Sequence, residues 1–570
     1  MKKIYSILAV TMMLFSFGAC QDMLDVDSNR VIFEDDNEIK NPGDAYYTIS
    51  GILEELQYIG DRYVILGELR GDLMTISQEY SSVSLKEIYE FQTTENNVYR
   101  ETQDYYSIIN NCNYAIQKMD TSLVSSGEKV MIPAYVEIKT IRAWAYWQMA
   151  QVFGTVKYLE KPVMSLEESL AEYPEMNMDQ LAEKLIADLS PYAAVRINNS
   201  SNQGLSPNYN SSIQVQMMLG DLYLYQNKYT LAAQMYFNFM SSGSSNGAAY
   251  TLSGNFTSKW NDKTFLTAES GHRSSYLQEW ISDMYYSSSG SGIAKDNYSK
   301  LISLTFNDKT SLLPEQTFIN EMGSKTYIDM DEKTSALTTT YGDLRGYIPA
   351  AKSRQQVGDA YYYVSLLSGN VSRAMIYKYY FGGYLSTGYD PDNNLLTEET
   401  GGLLYLSYTT LFRHPHLYLR YAEAVNRAGK PTLAYAVLKH GLTKANVADP
   451  KKVNQSEIKG EAYTDIPNTF DSNVGTMSRG LGTGISRDSI YYVIPELATL
   501  QDSIEWVELR ILDELAAETS FEGNRFFDLL RVSRRRPNHP EFMADRVSAK
   551  YADPAAMKAR LMNMDTWFMK

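Results

Sequence analysis

The chain has 570 residues, 44% of them hydrophobic, and it contains only two cysteines. A chain of this length can bury a large core without covalent cross-links, and so few cysteines exclude a disulfide framework. The formal net charge of −16 repels phosphate backbones and anionic lipid headgroups, so we expect no nucleic-acid partner and only a covalent link to a membrane.

The N-terminus has the residue order of a secretory signal peptide. Two lysines precede an almost wholly apolar run over residues 4–17, and Gly18 and Ala19 stand directly before Cys20. The run is shorter than the ~20 apolar residues that a spanning helix needs, and the chain turns acidic directly after it. Because a cysteine at the cleavage point can be alkylated by lipid, we predict a lipoprotein signal peptide over 1–19 and lipidation of Cys20. The alternative is a chance cysteine beside an ordinary cleavage site.

The rest of the chain is predicted to form a lead and one large domain. Residues 20–44 are expected to be a polar, lipidated N-terminal lead, and residues 45–570 a single, mostly α-helical domain. Two loop-rich inserts with a few short strands, at about 241–409 and 449–487, interrupt the helical pattern. Long loops inside a compact protein are usually functional, so the first insert is the expected ligand-binding region.

Hydrophobic periodicity predicts helices in the first part of the chain. Over residues 45–118 it favours two helices joined by a Ser-rich loop at 78–86. Residues 136–154 are apolar on most sides and stop at a glycine, which predicts a central buried helix. Cys112 lies in a helical pattern and is predicted to be a buried core residue and not a nucleophile.

Two separate segments have the residue pattern of tetratricopeptide helix pairs. In residues 217–240 the small side chains of Gly220 and Ala232 allow two helices to approach closely. The second segment repeats the pattern with Ala422, Gly429, Ala434 and Leu438. Tetratricopeptide-like pairs are therefore expected, but they are far apart in the sequence.

Several short stretches resemble landmarks of one known family. They include residues 106–113, 141–146, 343–345, 419–424 and 522–531. Together they resemble the SusD/RagB family of outer-membrane lipoproteins, known from Bacteroidetes, which capture nutrients beside a TonB-dependent transporter. The resemblance runs nearly end to end and implies a SusD-like helical fold.

The C-terminal run is the most specific part of the resemblance. The family pattern Glu-Gly-x-Arg-x-x-Asp-Leu-x-Arg is met at residues 522–531. In the preceding pattern, Glu-Arg-x-x-Glu-Leu, residues 514–519 keep both glutamates but carry leucine and threonine in place of the Arg and the Leu. Arg525 and Asp528, three positions apart, are expected to pair on one helix face and stabilise the fold. The basic run 534–536 is expected to be a solvated helix end.

The resemblance implies a binding protein and not an enzyme, with no cofactor and no metal. Its implied partners are an oligosaccharide and a TonB-dependent, SusC-like outer-membrane transporter, and the lipid anchor would hold the protein at the outer membrane, facing outward. The sequence itself contains neither a His-Glu-x-x-His metal pair nor a Gly-x-Ser-x-Gly nucleophile elbow. Residues 390–394 resemble a calcium loop, but Gly401 stands where the closing glutamate would be needed.

The composition favours a binding surface rich in tyrosine, with 46 Tyr against 19 Phe. A tyrosine offers an apolar face for a sugar ring and a polar tip for hydrogen bonds. The family has no shared ligand motif, so the candidates are chosen by location in the early loop and the first insert. They are Tyr80, Trp260, Arg273, Tyr285, Tyr286, Asn297 and Tyr298. For each of them, ordinary packing is the competing interpretation.

Two other functions stay open at this point. A peptide-binding importer subunit would use the same fold and transporter, and a surface glycoside hydrolase would need a pair of carboxylates whose separation one sequence cannot test.

Overall fold

The structure is a computed structural model. It describes residues 38–197, 212–242, 252, 279–287, 300–305, 309–330, 334, 336–343, 345–346, 360–365, 372–376, 378–379, 385–389, 395–399, 406–480 and 494–569. The signal peptide, Cys20, most of the lead and the calcium-like segment 390–394 lie outside the described residues.

The N-terminal region contains more helices than its periodicity predicts. Residues 38–119, all of which are described, form four α-helices: α1 Pro42–Gln57, α2 Gly60–Glu68, α3 Val83–Tyr89 and α4 Gln103–Lys118. A short strand, β1 Met74–Ile76, separates α2 from α3. The two-helix prediction is wrong because the Ser-rich stretch starts a helix. The hydroxyl of Ser82 accepts a hydrogen bond from the Leu85 amide and caps α3.

The predicted central helix is confirmed. After a small hairpin, β2 Val124–Ser125 with β3 Glu128–Lys129, helix α5 runs over Ile132–Phe153, and its side chains from Val136 to Val152 are all buried. It ends at Gly154, whose φ of 81° is a left-handed conformation that favours glycine. Cys112, on α4, is fully buried as predicted, and burial raises the pKa of its thiol to about 12.

A hairpin and a helix follow the central helix. Strand β4 Thr155–Lys157 pairs with β5 Glu175–Asn177, and the connection between them carries the short helix α6 Leu166–Ser169. Helix α7 Met178–Leu189 then packs back on α5.

Both tetratricopeptide-like pairs are present, and they lie side by side. The first consists of α8 Val215–Tyr225 and α9 Tyr229–Ser242. The pair that follows the first insert consists of α12 His414–Arg427 and α13 Pro431–Lys439, and α9 packs against α12. Gly220 allows the close approach, because a Cβ there would lie only 2.5 Å from the Tyr236 ring. Segments almost 200 residues apart thus form one helical stack.

The first insert is largely β-structure where it is described. Its strands are β6 Trp280–Ser287, β7 Leu312–Pro314, β8 Thr326–Met330, β9 Leu337–Tyr341, β10 Tyr361–Ser365, β11 Ser372–Ile376, β12 Leu385–Tyr389, β13 Leu395–Glu399 and β14 Leu406–Arg413. Two helices, α10 Leu301–Thr305 and α11 Gln316–Ser324, lie among them. The pairs β8–β9, β10–β11 and β12–β13 are antiparallel, as is the pair of long strands β6 and β14. The expectation of loops with a few short strands understated this content.

The C-terminal part is again mostly helical, and it packs against the helices of the N-terminal half. It contains α14 Lys444–Ala448, α15 Thr476–Arg479, α16 Leu500–Thr519, α17 Arg525–Ser533, α18 Glu541–Ser548 and α19 Pro554–Leu561. The last residues reach the end of the central helix, where the Met569 amide donates to the Val152 carbonyl. Among the described helices, none is both long and apolar enough to cross a membrane.

Candidate ligand-binding face

The turn that carries Tyr80 is fastened directly to the first insert. The Ser77 amide and the Ser81 hydroxyl both donate to the Ser311 carbonyl, at 2.9 and 2.7 Å. The Ser311 hydroxyl in turn donates to the Tyr80 carbonyl at 3.0 Å. Just beyond, β1 pairs antiparallel with β7 of the insert. The early loop and the insert therefore form one continuous surface, on which the Tyr80 side chain is half-buried.

The backbone segment before this turn, residues 69–74, is bound by the buried lysine Lys550. The Lys550 ammonium donates to the carbonyls of Leu69, Gly71 and Met74, at 2.7, 2.6 and 3.0 Å. The Lys550 side chain is almost completely buried, and burial lowers the pKa of its amine to about 7, although the carboxylates of Glu315 and Asp72 act in the opposite direction. The backbone that leads into β1 and the Tyr80 turn is thereby fixed by the C-terminal helices.

A polar strip lies at the N-terminal end of α2, beside the insert. The Asp61 carboxylate accepts the Lys300 backbone amide at 2.6 Å, and the Arg62 guanidinium pairs with Asp104 at 3.0 Å. Tyr99 is partly buried near Asp61 and Arg62, and burial raises the pKa of its phenol to about 12. Phenol, carboxylate and guanidinium groups are the kinds of group that hydrogen-bond sugar hydroxyls.

Helix α10 links this strip to the Tyr80 turn. It begins directly after Lys300 and has only five residues, about 7 Å at 1.5 Å per residue. The Ser311 amide then donates a hydrogen bond of 2.9 Å to the carbonyl of Leu304 in α10. We call the surface formed by the Tyr80 turn, α10 and the polar strip the ligand face. Tyr58, at the end of α1 three residues before Asp61, is an exposed tyrosine.

The predicted site residues have different positions. Tyr286, on β6, is 2% exposed, and its hydroxyl donates to the Gln57 carbonyl at 3.0 Å. A Cβ at Gly60 would lie 1.9 Å from that hydroxyl, so the ring fills a tight space against α1 and α2. Its ring therefore faces the core and is not available to a surface ligand.

Tyr285 is also on β6, opposite Tyr408 of β14. The remaining candidates lie outside the described residues: Trp260, Arg273, Asn297 and Tyr298. Their roles, like those of Tyr80 and Tyr285, stay predictions.

Sequence reasoning missed the polar strip. The pattern of residues 45–118 predicts only two long helices, and it places Asp61 and Tyr99 inside them and not at a surface site. The signal that could have found Tyr99 is the polar run before it, in which the Asn97 side chain accepts a hydrogen bond from the Tyr99 amide and starts a 3-10 turn.

A cluster of buried charges attaches the inserts to the end of α16. We call it the insert anchor; its basic members are Arg345, Lys378, Arg413 and Arg479, and its carboxylates belong to Glu279, Asp343, Glu514, Glu518 and Glu522. Glu518 is central, with Arg345 at 2.9 Å and Arg479 at 2.8 Å. Burial alone would raise the pKa of the Glu522 carboxyl, but Arg413 and Lys378 outweigh burial and lower it to about 2.

A second buried cluster joins helices of the frame to each other. In this frame cluster Glu423 and Glu508 are each surrounded by arginines, and the basic members are Arg420, Arg427, Arg531, Arg535 and Arg536. The side chains of Arg535 and Arg536 are 3% and 8% exposed. The expectation of a solvated helix end is therefore wrong for these two residues.

The predicted pair of Arg525 and Asp528 is also not formed. Arg525 binds Asp72 through two bonds of 2.5 and 2.8 Å. Asp528 instead lies 3.0 Å from Arg531 and 2.5 Å from Arg420. Arg525 therefore joins α17 to the segment before β1. Asp528 pairs with Arg531 within α17 and also with Arg420 of α12.

The described residues contain no group of three or more His, Cys, Asp and Glu side chains arranged to hold a metal ion. A helical stack of tetratricopeptide-like pairs, with a β-rich insert fastened to it by buried charges, defines a class of mostly helical proteins with one large insert. A family model for the SusD family matches residues 235–566. The chain belongs to the SusD family.

Solved structures share the fold at low sequence identity. One is a SusD superfamily protein from Bacteroides thetaiotaomicron VPI-5482, with a TM-score of 0.54, 13% identity, and coverage of 92% of this chain and 93% of that one. Another, from Bacteroides vulgatus ATCC 8482, has a TM-score of 0.53, 16% identity, and coverage of 87% and 89%. A third is surface glycan-binding protein A from Bacteroides uniformis, with a TM-score of 0.52, 13% identity, and coverage of 91% and 93%. No curated protein matches the sequence.

Proposed function

We propose that the chain is a surface-exposed lipoprotein that binds an oligosaccharide on the ligand face and delivers it to a TonB-dependent, SusC-like outer-membrane transporter. The observation that carries the proposal is the fastening of the Tyr80 turn to Ser311 of the insert. These contacts place the aromatic side chain of Tyr80 on the same surface as the polar strip of Asp61, Arg62 and Tyr99. Sugar rings pack their CH groups on aromatic faces while their hydroxyls bind polar groups nearby.

Family membership supports a binding role. Surface glycan-binding protein A from Bacteroides uniformis shares the fold over 91% of this chain, and a further neighbour from Bacteroides fragilis is described as a SusD-like carbohydrate-binding protein. In this proposal the protein acts by binding and positioning and has no catalytic residue and no cofactor. Tyr80 and Tyr285, with Trp260, Arg273, Asn297 and Tyr298 of the first insert, are the proposed ligand residues.

The proposed location is the outer membrane, with the domain facing outward. Residues 1–19 would be removed and Cys20 would carry the lipid, so that the lead of residues 20–44 tethers the domain. Several acyl chains give stable anchoring where one is marginal, since each buried methylene contributes about 0.8 kcal/mol. Replacing Cys20 with Ser should release a soluble protein that still binds its ligand. Loss of ligand binding in that form would contradict a role in tethering only.

A binding and product assay distinguishes this function from its rivals. The soluble Cys20→Ser protein is applied to a glycan array and to an oligopeptide panel, and each ligand that binds is recovered and analysed. We expect at least one glycan to bind and to be recovered intact. If the protein binds peptides but no glycan, it is a peptide-binding importer subunit. If it releases shortened sugars, it is a glycoside hydrolase.

A further inference from the structure

The connection between β4 and β5 displays apolar side chains in an unusual way. We call residues 158–174 the α6 loop. Its residues 164–172 are all exposed, and they include Met164, Leu166 and Leu170, with exposed fractions of 50%, 77% and 78%. Single exposed leucines are common, but three large apolar side chains within seven residues form a patch, and patches of this kind mark interaction sites.

The α6 loop is nevertheless held in one conformation. Helix α6 has a complete capping box, in which the Ser165 hydroxyl accepts the Glu168 amide and the Glu168 carboxylate accepts the Ser165 amide. The same carboxylate accepts the Met164 amide at 2.6 Å. The Tyr173 hydroxyl donates to the Glu168 carbonyl at 2.8 Å. The leucines are thus exposed on an ordered turn.

Side chains of α4 hold the start of the loop through its backbone. The Asn110 amide group donates to the Val163 carbonyl at 3.1 Å and accepts the Val163 amide at 2.6 Å. The Asn113 amide group donates to the carbonyls of Leu159 and Lys161. Asn113 is itself buried and oriented by Arg142, which donates to its side-chain oxygen at 2.6 Å.

Tyrosines of α4 and α5 complete this support. The Tyr146 hydroxyl exchanges two hydrogen bonds with the backbone of Leu159, at 2.7 and 3.1 Å. The Tyr106 hydroxyl does the same with Lys157, at 3.0 and 3.2 Å. Tyr106 and Asn113 begin and end one of the stretches that resemble the family, and Tyr146 ends another. These landmark residues therefore position the α6 loop.

Two observations indicate what binds there. The α6 loop contains four glutamates and one lysine, a net charge of −3, which repels anionic lipid headgroups and suits a partner with basic residues around an apolar groove. The described chain begins beside α4: the Ile39 amide donates to the Lys118 carbonyl at the end of that helix. Asn110 and Asn113 lie five to eight residues earlier, about 8 to 12 Å along the axis.

The lead that would run from Cys20 to residue 38 therefore leaves the domain close to the α6 loop. Eighteen residues span at most about 60 Å, so a lipid at Cys20 would keep the start of the described chain, and the loop beside it, within reach of a partner in the same membrane. We infer that the α6 loop is the docking element for the transporter, inserting Leu166 and Leu170 into an apolar groove on the periphery of a TonB-dependent porin in the same membrane. This inference rests on the proposed function. A preformed loop loses little conformational freedom on binding, which favours affinity.

The test uses the full lipidated chain purified in mild detergent. The porin that accompanies the wild-type protein is identified by mass spectrometry. The double variant Leu166→Ser/Leu170→Ser should retain at least about tenfold less porin, because a few buried side chains carry most of the energy of an interface and each leucine buried in a groove contributes about 1.5–3 kcal/mol. The control variant Leu231→Ser/Leu500→Ser changes leucines that are 47% and 58% exposed elsewhere and should retain as much porin as the wild type. Glycan affinity and thermal stability should be unchanged in both.

The outcomes separate this inference from the function on which it rests. If the wild type and the α6-loop variant carry equal amounts of porin, the loop is not the docking element, although delivery to a transporter stands. If the wild type binds glycan but carries no porin, delivery itself fails and the inference fails with it. A second measurement sediments the Cys20→Ser protein with vesicles of phosphatidylethanolamine and phosphatidylglycerol. Binding that the two serine substitutions abolish would assign the loop to a lipid surface and overturn the inference.

Discussion

The two buried charge clusters hold different parts of the molecule together. The frame cluster joins α12, α16 and α17 with the turn that follows α17, and these helices also pack through apolar side chains. The insert anchor joins segments from the two inserts to α16 and to Glu522. The paired buried charges of the insert anchor favour one position of the insert on the frame, because a misplaced partner leaves a charge uncompensated.

The C-terminal family motif serves both clusters. Glu522 belongs to the insert anchor. Asp528 pairs with Arg420 and Arg531, and Arg531 also pairs with Glu423 of the frame cluster. Arg525 has a third role, since it binds Asp72 just before β1. One short run of sequence therefore fixes the helical stack, the insert and the segment before the Tyr80 turn relative to each other.

Removing one charge from the insert anchor should have the largest effect on stability. In Glu518→Gln the charges of Arg345 and Arg479 lose a shared partner in the core, which should cost about 3–5 kcal/mol. Urea unfolding measures this change. Glu505→Gln is the control, because Glu505 is partly exposed and lies 4.0 Å from Arg536, and it should cost less than about 1 kcal/mol. Equal losses in the two variants would contradict a special role of the insert anchor.

Acid should weaken the insert anchor through Glu522. The folded-state pKa of Glu522 is lowered from 4.5 to about 2, so its contribution to stability is present above the unfolded pKa. It is lost as the pH falls from about 4.5 towards 2, and it amounts to about 3 kcal/mol. Thermal unfolding at pH 6, 4 and 3 should show a smaller decline for Glu522→Gln than for the wild type. A parallel decline in both proteins would show that Glu522 does not carry this dependence.

The helical frame could be predicted because its signals are local. The period of 3.6 residues and the terminal glycine identify α5, and small residues at fixed spacing identify α8 with α9 and α12 with α13. The same method failed over residues 45–118, where the Ser82 cap and the strand β1 divide a continuous apolar pattern. A cap of one residue is a weak signal within a Ser-rich stretch, so the sequence favours a loop where the structure has α3.

The ligand face could be predicted only in part because its contacts are distant in sequence. Tyr80 stands in an early loop, but its partner Ser311 is 231 residues away. Arg525 and Asp72 are 453 residues apart, and no spacing rule favours that pair over the local pair with Asp528. Tyr285 and Tyr286 are equivalent in sequence, and only the position of α1 and α2 determines that Tyr286 is buried.

Weakening the support beneath the ligand face should affect both stability and binding. In Lys550→Met the apolar stem is kept but the ammonium that binds three carbonyls is lost, and we expect a loss of about 2 kcal/mol. Because the Tyr80 turn follows this backbone, glycan affinity measured by calorimetry should fall as well. Lys558→Met is the control, since Lys558 is bound only to the exposed Glu541 and Asp545 in the described structure. An unchanged affinity in a destabilised Lys550→Met protein would limit the lysine to a structural role.

The smallest effect concerns the ligand face itself. Stacking of one sugar ring on Tyr80 should contribute about 0.5–1.5 kcal/mol, so Tyr80→Ala should lower glycan affinity by up to about tenfold without changing stability. Tyr80→Phe keeps the aromatic face and should bind almost as well. Tyr47→Ala removes a tyrosine that is 75% exposed at the other end of α1 and should bind as the wild type does. If Tyr80→Ala and Tyr47→Ala bind the glycan equally well, the sugar does not contact Tyr80 and binds the insert alone. The hydrogen bonds between the Tyr80 turn and Ser311 would then only support the insert surface.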